Sequence, residues 1–132
     1  MIRDIQLPLI SYKEARELND NLNGLGNPTE NRVLIAVPAN NEVKKGNLIL
    51  PGQNKEELPR KGVIVQKGYF TDEYRSYSDL KIGDIVTYGM YAGKEIDPPF
   101  GQEFKSIHDT TELKFFVLSL NEIIYSEINF NE

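Results

Sequence analysis

Five short runs of aliphatic and aromatic residues, separated by turn-forming residues, constrain this chain more than any other feature. In the first run, β-branched residues alternate with other apolar residues until Pro38 ends the pattern. The five runs occupy residues 33–37, 63–65, 85–88, 115–118 and 123–125. Because no convincing helical period lies between them, the series predicts an all-β fold, a small antiparallel barrel or sandwich.

The segment before the first run has a different pattern. Ser11 and Glu14 have the S-x-x-E spacing of a capping box, which predicts a short helix over residues 11–22. Apolar residues follow at near-helical intervals, at Ala15, Leu18 and Leu22. We therefore divide the chain into an N-terminal extension, residues 1–30, and a barrel, residues 31–132. The extension is either docked on the barrel or loose.

Composition excludes several classes of function. The chain of 132 residues has no cysteine and one histidine, His108, so disulfides, thiolate metal sites and supported histidine triads are not expected. A net charge of −5 disfavours general nucleic-acid binding. No apolar run is long enough to span a membrane. Asp4 stands where a signal peptide needs apolar residues, so we expect a cytoplasmic protein.

Two segments between the runs, residues 40–61 and 97–112, are too long for tight hairpins. The first contains an apolar tripeptide among charged residues: Leu48, Ile49 and Leu50. Two interpretations remain open on this pattern alone. The tripeptide is either a docking peptide in an exposed loop or a core strand in a hairpin that turns at residues 51–52.

Several stretches together resemble the GroES-like family of small co-chaperonins. The most specific is KIGDIV at residues 81–86, followed by YGMYAGKEI at residues 88–96. Weaker matches occur in the family's order, at residues 32–35, 46–50, 62–65 and 115–125. The resemblance covers residues 31–96 and 113–127. The extra length and the divergence resemble a phage-encoded member, acting in the cytoplasm of an infected host, more than a housekeeping one.

The resemblance implies a small irregular β-barrel whose copies form a homo-oligomeric ring, a heptamer in this family. Such a ring caps a GroEL-type chaperonin and encloses non-native protein, while the chaperonin and not the cap binds and hydrolyses ATP. The chain itself is then not an enzyme and needs no cofactor or metal. The tripeptide of residues 48–50 would enter an apolar groove on the chaperonin. Gly46, Pro51 and Gly52 would set the flexibility of the loop.

An aromatic cluster lies between the second and third runs. It consists of Tyr69, Phe70, Tyr74 and Tyr77. In the resembling family, this place holds a hairpin that forms the roof of the dome, so one hypothesis assigns these side chains to the roof or the chamber surface. The other hypothesis is ordinary packing around Leu80.

Two other classes of function remain as alternatives. A small barrel of the oligonucleotide-binding type would stack bases on aromatic residues, but it needs a basic groove. An enzyme needs a convergent nucleophile and base. Ser106, His108 and Asp109 are the nearest candidates, yet neighbours on one loop rarely point at a common centre. The barrel of medium-chain alcohol dehydrogenases functions with a separate nucleotide-binding half, for which this chain has no room.

Overall fold

The computed structural model describes residues 9–38, 59–89, 92–97 and 113–130. Within these ranges, six strands form one antiparallel sheet, and one α-helix precedes them. The elements are α1 (Tyr12–Leu22), β1 (Arg32–Pro38), β2 (Pro59–Lys67), β3 (Ile85–Gly89), β4 (Lys94–Ile96), β5 (Leu113–Ser119) and β6 (Ile123–Glu127), with 3₁₀ helices at Asp72–Tyr77 and Leu120–Glu122. The predicted all-β class is confirmed, and each of the five apolar runs forms a strand.

The sheet curves strongly, because strands that are distant in it are joined by a very short link. The strand order is β4-β5-β1-β2-β3-β6, so β5 and β6 are four inter-strand spacings apart, about 19 Å in a flat sheet. Only residues 120–122 join Ser119 to Ile123, and four chain steps reach about 14 Å. The link itself is held by a capping box between Ser119 and Glu122. A flat sheet is therefore impossible, and the strands curl into a barrel.

Apolar residues are buried on both faces of the central strands. In β1, Val33, Ile35 and Val37 belong to a cluster that we call the inner cluster. Leu34 and Ala36 belong to a second cluster, which we call the helix-side cluster because α1 covers it. A strand that is buried on both faces is a near-continuous apolar run, as the sequence of β1 is.

Helix α1 is docked on the barrel. Ser11 is its N-cap, and the Ser11 side chain accepts a hydrogen bond from the Glu14 backbone N–H at 3.1 Å, as the capping-box spacing predicts. Its apolar residues, Ala15, Leu18 and Leu22, are buried in the helix-side cluster. An isolated helix of 11 residues is marginal in water, so this packing is what holds α1 in its helical form. Within the described residues, no helix has the length and apolarity to cross a membrane.

Candidate functional site

The predicted docking peptide belongs to the segment that joins β1 to β2. These two strands are antiparallel neighbours, and residues 39–58 run from Pro38 to Pro59. Leu48, Ile49, Leu50, Gly46, Pro51 and Gly52 all lie outside the described residues. The structure therefore defines the position where this segment leaves the barrel, and the assignments of those six residues stay predictions.

Both long segments leave the barrel at the same end. Pro38, the last residue of β1, pairs with Leu113, the first residue of β5. The 98–112 segment runs from the end of β4 to this same Leu113, because β4 pairs with β5 with Ile96 opposite Phe115. Pro59 pairs with Gly89 at the end of β3. We call this region, marked by Pro38, Pro59, Gly89 and Leu113, the loop end of the barrel.

The aromatic cluster lies at the opposite end. Strand β2 runs from the loop end to Lys67, and residues 68–84 then return the chain to β3. Residues Asp72–Tyr77 of this return form a 3₁₀ helix and not the hairpin that the family resemblance implies. The segment has a kink at Tyr74, where the backbone is not helical. Backbone hydrogen bonds between residues three apart close its two ends, from Tyr74 N–H to the Thr71 carbonyl and from Ser78 N–H to the Arg75 carbonyl. The segment therefore satisfies its backbone groups locally, without a strand partner.

The four aromatic residues of the cluster have different environments. Tyr69 is 74% exposed. Phe70, Tyr74 and Tyr77 are half-buried and pack against the inner cluster, which also contains Leu80. The Lys67 ammonium lies 5.0 Å from the centre of the Phe70 ring and donates a hydrogen bond to the Leu80 carbonyl at 2.5 Å. Three of the four rings therefore pack around Leu80, while the ring of Tyr69 remains available to a partner.

Asn31 holds this segment in place, and sequence analysis missed it. Its φ of 60° is in the left-handed region, which asparagine tolerates better than most residues. Its backbone N–H donates to the Tyr69 carbonyl at 2.8 Å, and its side-chain oxygen accepts from the Thr71 N–H at 2.8 Å. The Asn31 carbonyl accepts from Leu120 N–H at 3.0 Å. The signal in the sequence was an asparagine immediately before a strand, which is weak by itself.

A second feature that sequence analysis missed is an apolar surface on β6 and the residues after it. We call it the β6 surface; its side chains are Ile124, Tyr125, Ile128 and Phe130, all about two-thirds exposed or more. In the described part of the sheet, β6 pairs only with β3, so its other edge is free. A groove of about 490 Å³ runs beside it, between β6 and the residues around Tyr77. Large exposed apolar side chains that are grouped in this way mark interaction sites.

The comparison with known proteins now decides the family. Residues 26–113 match the family described as the chaperonin 10 Kd subunit, Cpn10. The chain belongs to this family. The match begins after α1 and ends at the first residue of β5, so it contains β1 to β4, the segment between Pro38 and Pro59, and the aromatic cluster.

Individual members of the family are similar over part of this chain. The "Co-chaperonin GroES" of Parabacteroides distasonis is 43% identical over 70 residues, which are 53% of this chain and 75% of that protein. The protein of the same name from Bacteroides thetaiotaomicron is 40% identical over 70 residues, 53% of this chain and 74% of its own length. "Co-chaperonin GroES 1" of Rhodopirellula baltica is 30% identical over 86 residues, 63% of this chain and 83% of its own. These names describe co-chaperonins and not enzymes, and the predicted resemblance is confirmed.

Proposed function

We propose that this family member is a co-chaperonin whose ring caps a GroEL-type chaperonin and encloses non-native protein. The observation that carries the proposal is the separation of the two candidate sites by β2. The nine residues of β2 span about 26 Å between the loop end and the aromatic cluster. A cap needs this arrangement, because one end must hold the chaperonin while the other covers the chamber.

At the loop end, the proposed contact is the apolar tripeptide of residues 48–50. Burying three large aliphatic side chains in a groove contributes roughly 5–9 kcal/mol. Ordering about eight loop residues costs roughly 8–16 kcal/mol of backbone freedom. Because these terms largely cancel, one loop binds weakly. Gly46 and Gly52 would let the loop adopt its bound form, and Pro51 would limit its freedom when unbound.

Several copies on one ring overcome this weakness. Once one loop is bound, the others bind as intramolecular partners, which raises the avidity by about 10² to 10⁴. The β6 surface supports self-association, since its four side chains offer roughly 500 Å² per copy, or about 1,000 Å² in total, near the lower limit for a specific interface. The heptameric ring size is carried over from the family resemblance.

At the opposite end, the proposed role is to face the enclosed protein. Asp72, Glu73 and Asp79 are exposed there, beside the exposed ring of Tyr69. A charged surface does not bind the apolar segments of a non-native protein strongly, so it suits a chamber that must release its contents. In this proposal the chain binds no cofactor of its own, because nucleotide binding and hydrolysis belong to the chaperonin.

The proposal predicts that an Ile49→Asp, Leu50→Asp double variant forms the ring but no longer binds the chaperonin. Two carboxylates cannot enter an apolar groove without losing their hydration. The measurement is co-sedimentation with a GroEL-type chaperonin in the presence of nucleotide, followed by refolding of a chaperonin-dependent protein. Tyr69→Ser, a polar change at the opposite end, is the matched control and should still bind. The proposal is wrong if the double variant supports refolding as the unaltered protein does.

A further inference from the structure

The residues after β6 have an unusual anchor. The pairing of β6 with β3 ends at Glu127 opposite Ile85, so residues 128–130 follow the sheet. Asn129 is nevertheless only 6% exposed, while its neighbours Ile128 and Phe130 are 69% and 85% exposed. One buried polar side chain thus lies between the two apolar side chains that complete the β6 surface. We call residues 128–130 the tail.

The partner of Asn129 is at the other end of the chain. The Asn129 side-chain amide donates a hydrogen bond to the Ile10 backbone carbonyl at 3.0 Å. Ile10 is itself buried in the helix-side cluster and immediately precedes Ser11, the N-cap of α1. The carbonyl that holds the tail is therefore fixed in space by the docking of α1.

We propose that the N-terminal segment, residues 10–22, sets the conformation of the β6 surface, and that Asn129 is the positioning residue that connects the two. This inference rests on the proposed self-association of the chain. The surface fits a second copy of this chain, because the exposed tail side chains follow Ile124 and Tyr125 along the chain, beside the edge of β6 that is free in the described part of the sheet, and bring the exposed apolar area near the lower limit for a specific interface.

The physical effect is preorganisation. Fixing the backbone of one residue costs about 1–2 kcal/mol. If the tail is already ordered in the isolated copy, that cost is not subtracted from the free energy of association. The hydrogen bond to Ile10 supplies this order in a segment that has left the β6–β3 ladder. The N-terminal helix, which lies outside the range that matches the family, would then act on assembly without entering the interface.

The chain contains a matched pair of variants for the test. Asn129→Asp keeps the shape of the side chain but replaces the donor with an acceptor-only carboxylate. Gln66→Glu makes the corresponding change at another buried amide, outside residues 10–22, which donates to the Gly26 carbonyl at 2.8 Å. Asn129→Ala removes the donor without adding charge. It can therefore be measured if the aspartate variant fails to fold.

The measurement is the dissociation of the full-length protein on dilution, followed by sedimentation velocity, with circular dichroism to check the fold. We expect Asn129→Asp and Asn129→Ala to raise the concentration of half-dissociation by about tenfold or more. Gln66→Glu should raise it by less than about threefold. Equal effects of the Asn129 and Gln66 variants would overturn the inference, since the hydrogen bond would then act only through general stability.

A second measurement reports the mobility of the tail directly. The chain has no tryptophan, so Phe130→Trp introduces a single fluorophore. In dilute, dissociated protein, adding Asn129→Ala should lower the fluorescence anisotropy of this tryptophan, and adding Gln66→Glu should not. An unchanged anisotropy with Asn129→Ala would show that the hydrogen bond does not order the tail.

Phe130→Ser separates failure of this inference from failure of the proposed self-association. If Phe130→Ser weakens assembly and the Asn129 variants do not, the β6 surface is the interface but Asn129 does not position it. If Phe130→Ser assembles as the unaltered protein does, the β6 surface is not the interface, and the inference about Asn129 is wrong as well.

Discussion

Gly83 is constrained twice, by its backbone conformation and by its neighbour. Its φ of +100° lies in the left-handed region, where a side chain is strained. A Cβ atom at this position would lie 2.4 Å from Cδ2 of Tyr12. The turn around it is closed by the Asp84 carboxylate, which accepts a hydrogen bond from the Lys81 N–H at 3.0 Å. The turn thus provides the contact surface for the first residue of α1.

A comparison of Gly83 with a second glycine separates the cost of the left-handed backbone from the cost of the clash with Tyr12. Gly24 has a similar φ of +88° but no atom within 4 Å of its would-be Cβ. We expect Gly24→Ala to lower the free energy of unfolding by about 1–2 kcal/mol, the cost of the left-handed backbone. Gly83→Ala should lower it by about 2–5 kcal/mol, because the clash with Tyr12 adds to the strain. Urea denaturation measures both changes.

The clash itself is tested by a double-mutant cycle. Tyr12→Ala removes the ring that a Cβ at residue 83 would strike, so the Gly83→Ala change should cost less in that background. An additive result would contradict the clash and leave backbone strain as the sole cause. A turn of this kind can be predicted from a sequence, because its residues are adjacent. It could not predict the Tyr12 contact, which joins residues that only the fold brings together.

At the scale of elements, α1 is part of the cooperative fold. Leu22 is fully buried in the helix-side cluster, so Leu22→Ala should lower the free energy of unfolding by about 2–5 kcal/mol. Glu17 is exposed on the opposite face, and Glu17→Ala should change it by less than about 0.5 kcal/mol. Denaturation followed by far-ultraviolet circular dichroism should show one transition for each variant. Separate melting of the helix and the barrel would mean that α1 folds independently.

Four of the five strands that the sequence predicted, β1, β2, β3 and β5, contain buried residues. In β1 and β5, apolar residues recur because the two clusters need them. Strand β4 was not predicted, because its three residues are all exposed and form no alternating apolar pattern. The helix could be predicted from its local capping box and apolar spacing. Its docking could not, since the residues that it covers are spread over three strands.

The exposure of the β6 surface could not be predicted from the sequence, although the strand itself could. Residues 123–125 predicted a strand, and β6 confirms it. A run of apolar residues does not say which of its members face solvent, however, because that depends on the neighbours of the strand in the sheet. Here β6 is at an edge, so Ile124 and Tyr125 are exposed where a central strand would have buried them. The candidate interface therefore became visible only with the strand order.

At the scale of the whole molecule, the first and last parts of the described chain meet at Ile10 and Asn129, and the family core lies between them in sequence. The matched range, residues 26–113, contains the loop end and the aromatic cluster. The β6 surface, the tail and α1 lie outside it, and the hydrogen bond between Asn129 and Ile10 connects the last two. This chain thus places the parts proposed to bind other proteins within the family core, and the parts proposed to bind its own copies largely outside it.

This division makes assembly and chaperonin binding separable by mutation. An Ile124→Ser, Phe130→Ser double variant changes two side chains that are already exposed, so the barrel should fold with nearly unchanged stability. It should remain a monomer, because the polar changes remove about half of the apolar β6 surface. Its residues 48–50 are intact, yet it should bind a GroEL-type chaperonin at least 100-fold more weakly than the ring, since a single loop lacks avidity.

Binding to immobilised chaperonin at a fixed concentration of loops measures this difference, with Tyr69→Ser as the control that keeps the ring. A monomer that binds as tightly as the ring would mean that one loop is sufficient, and that the ring serves only to enclose the chamber.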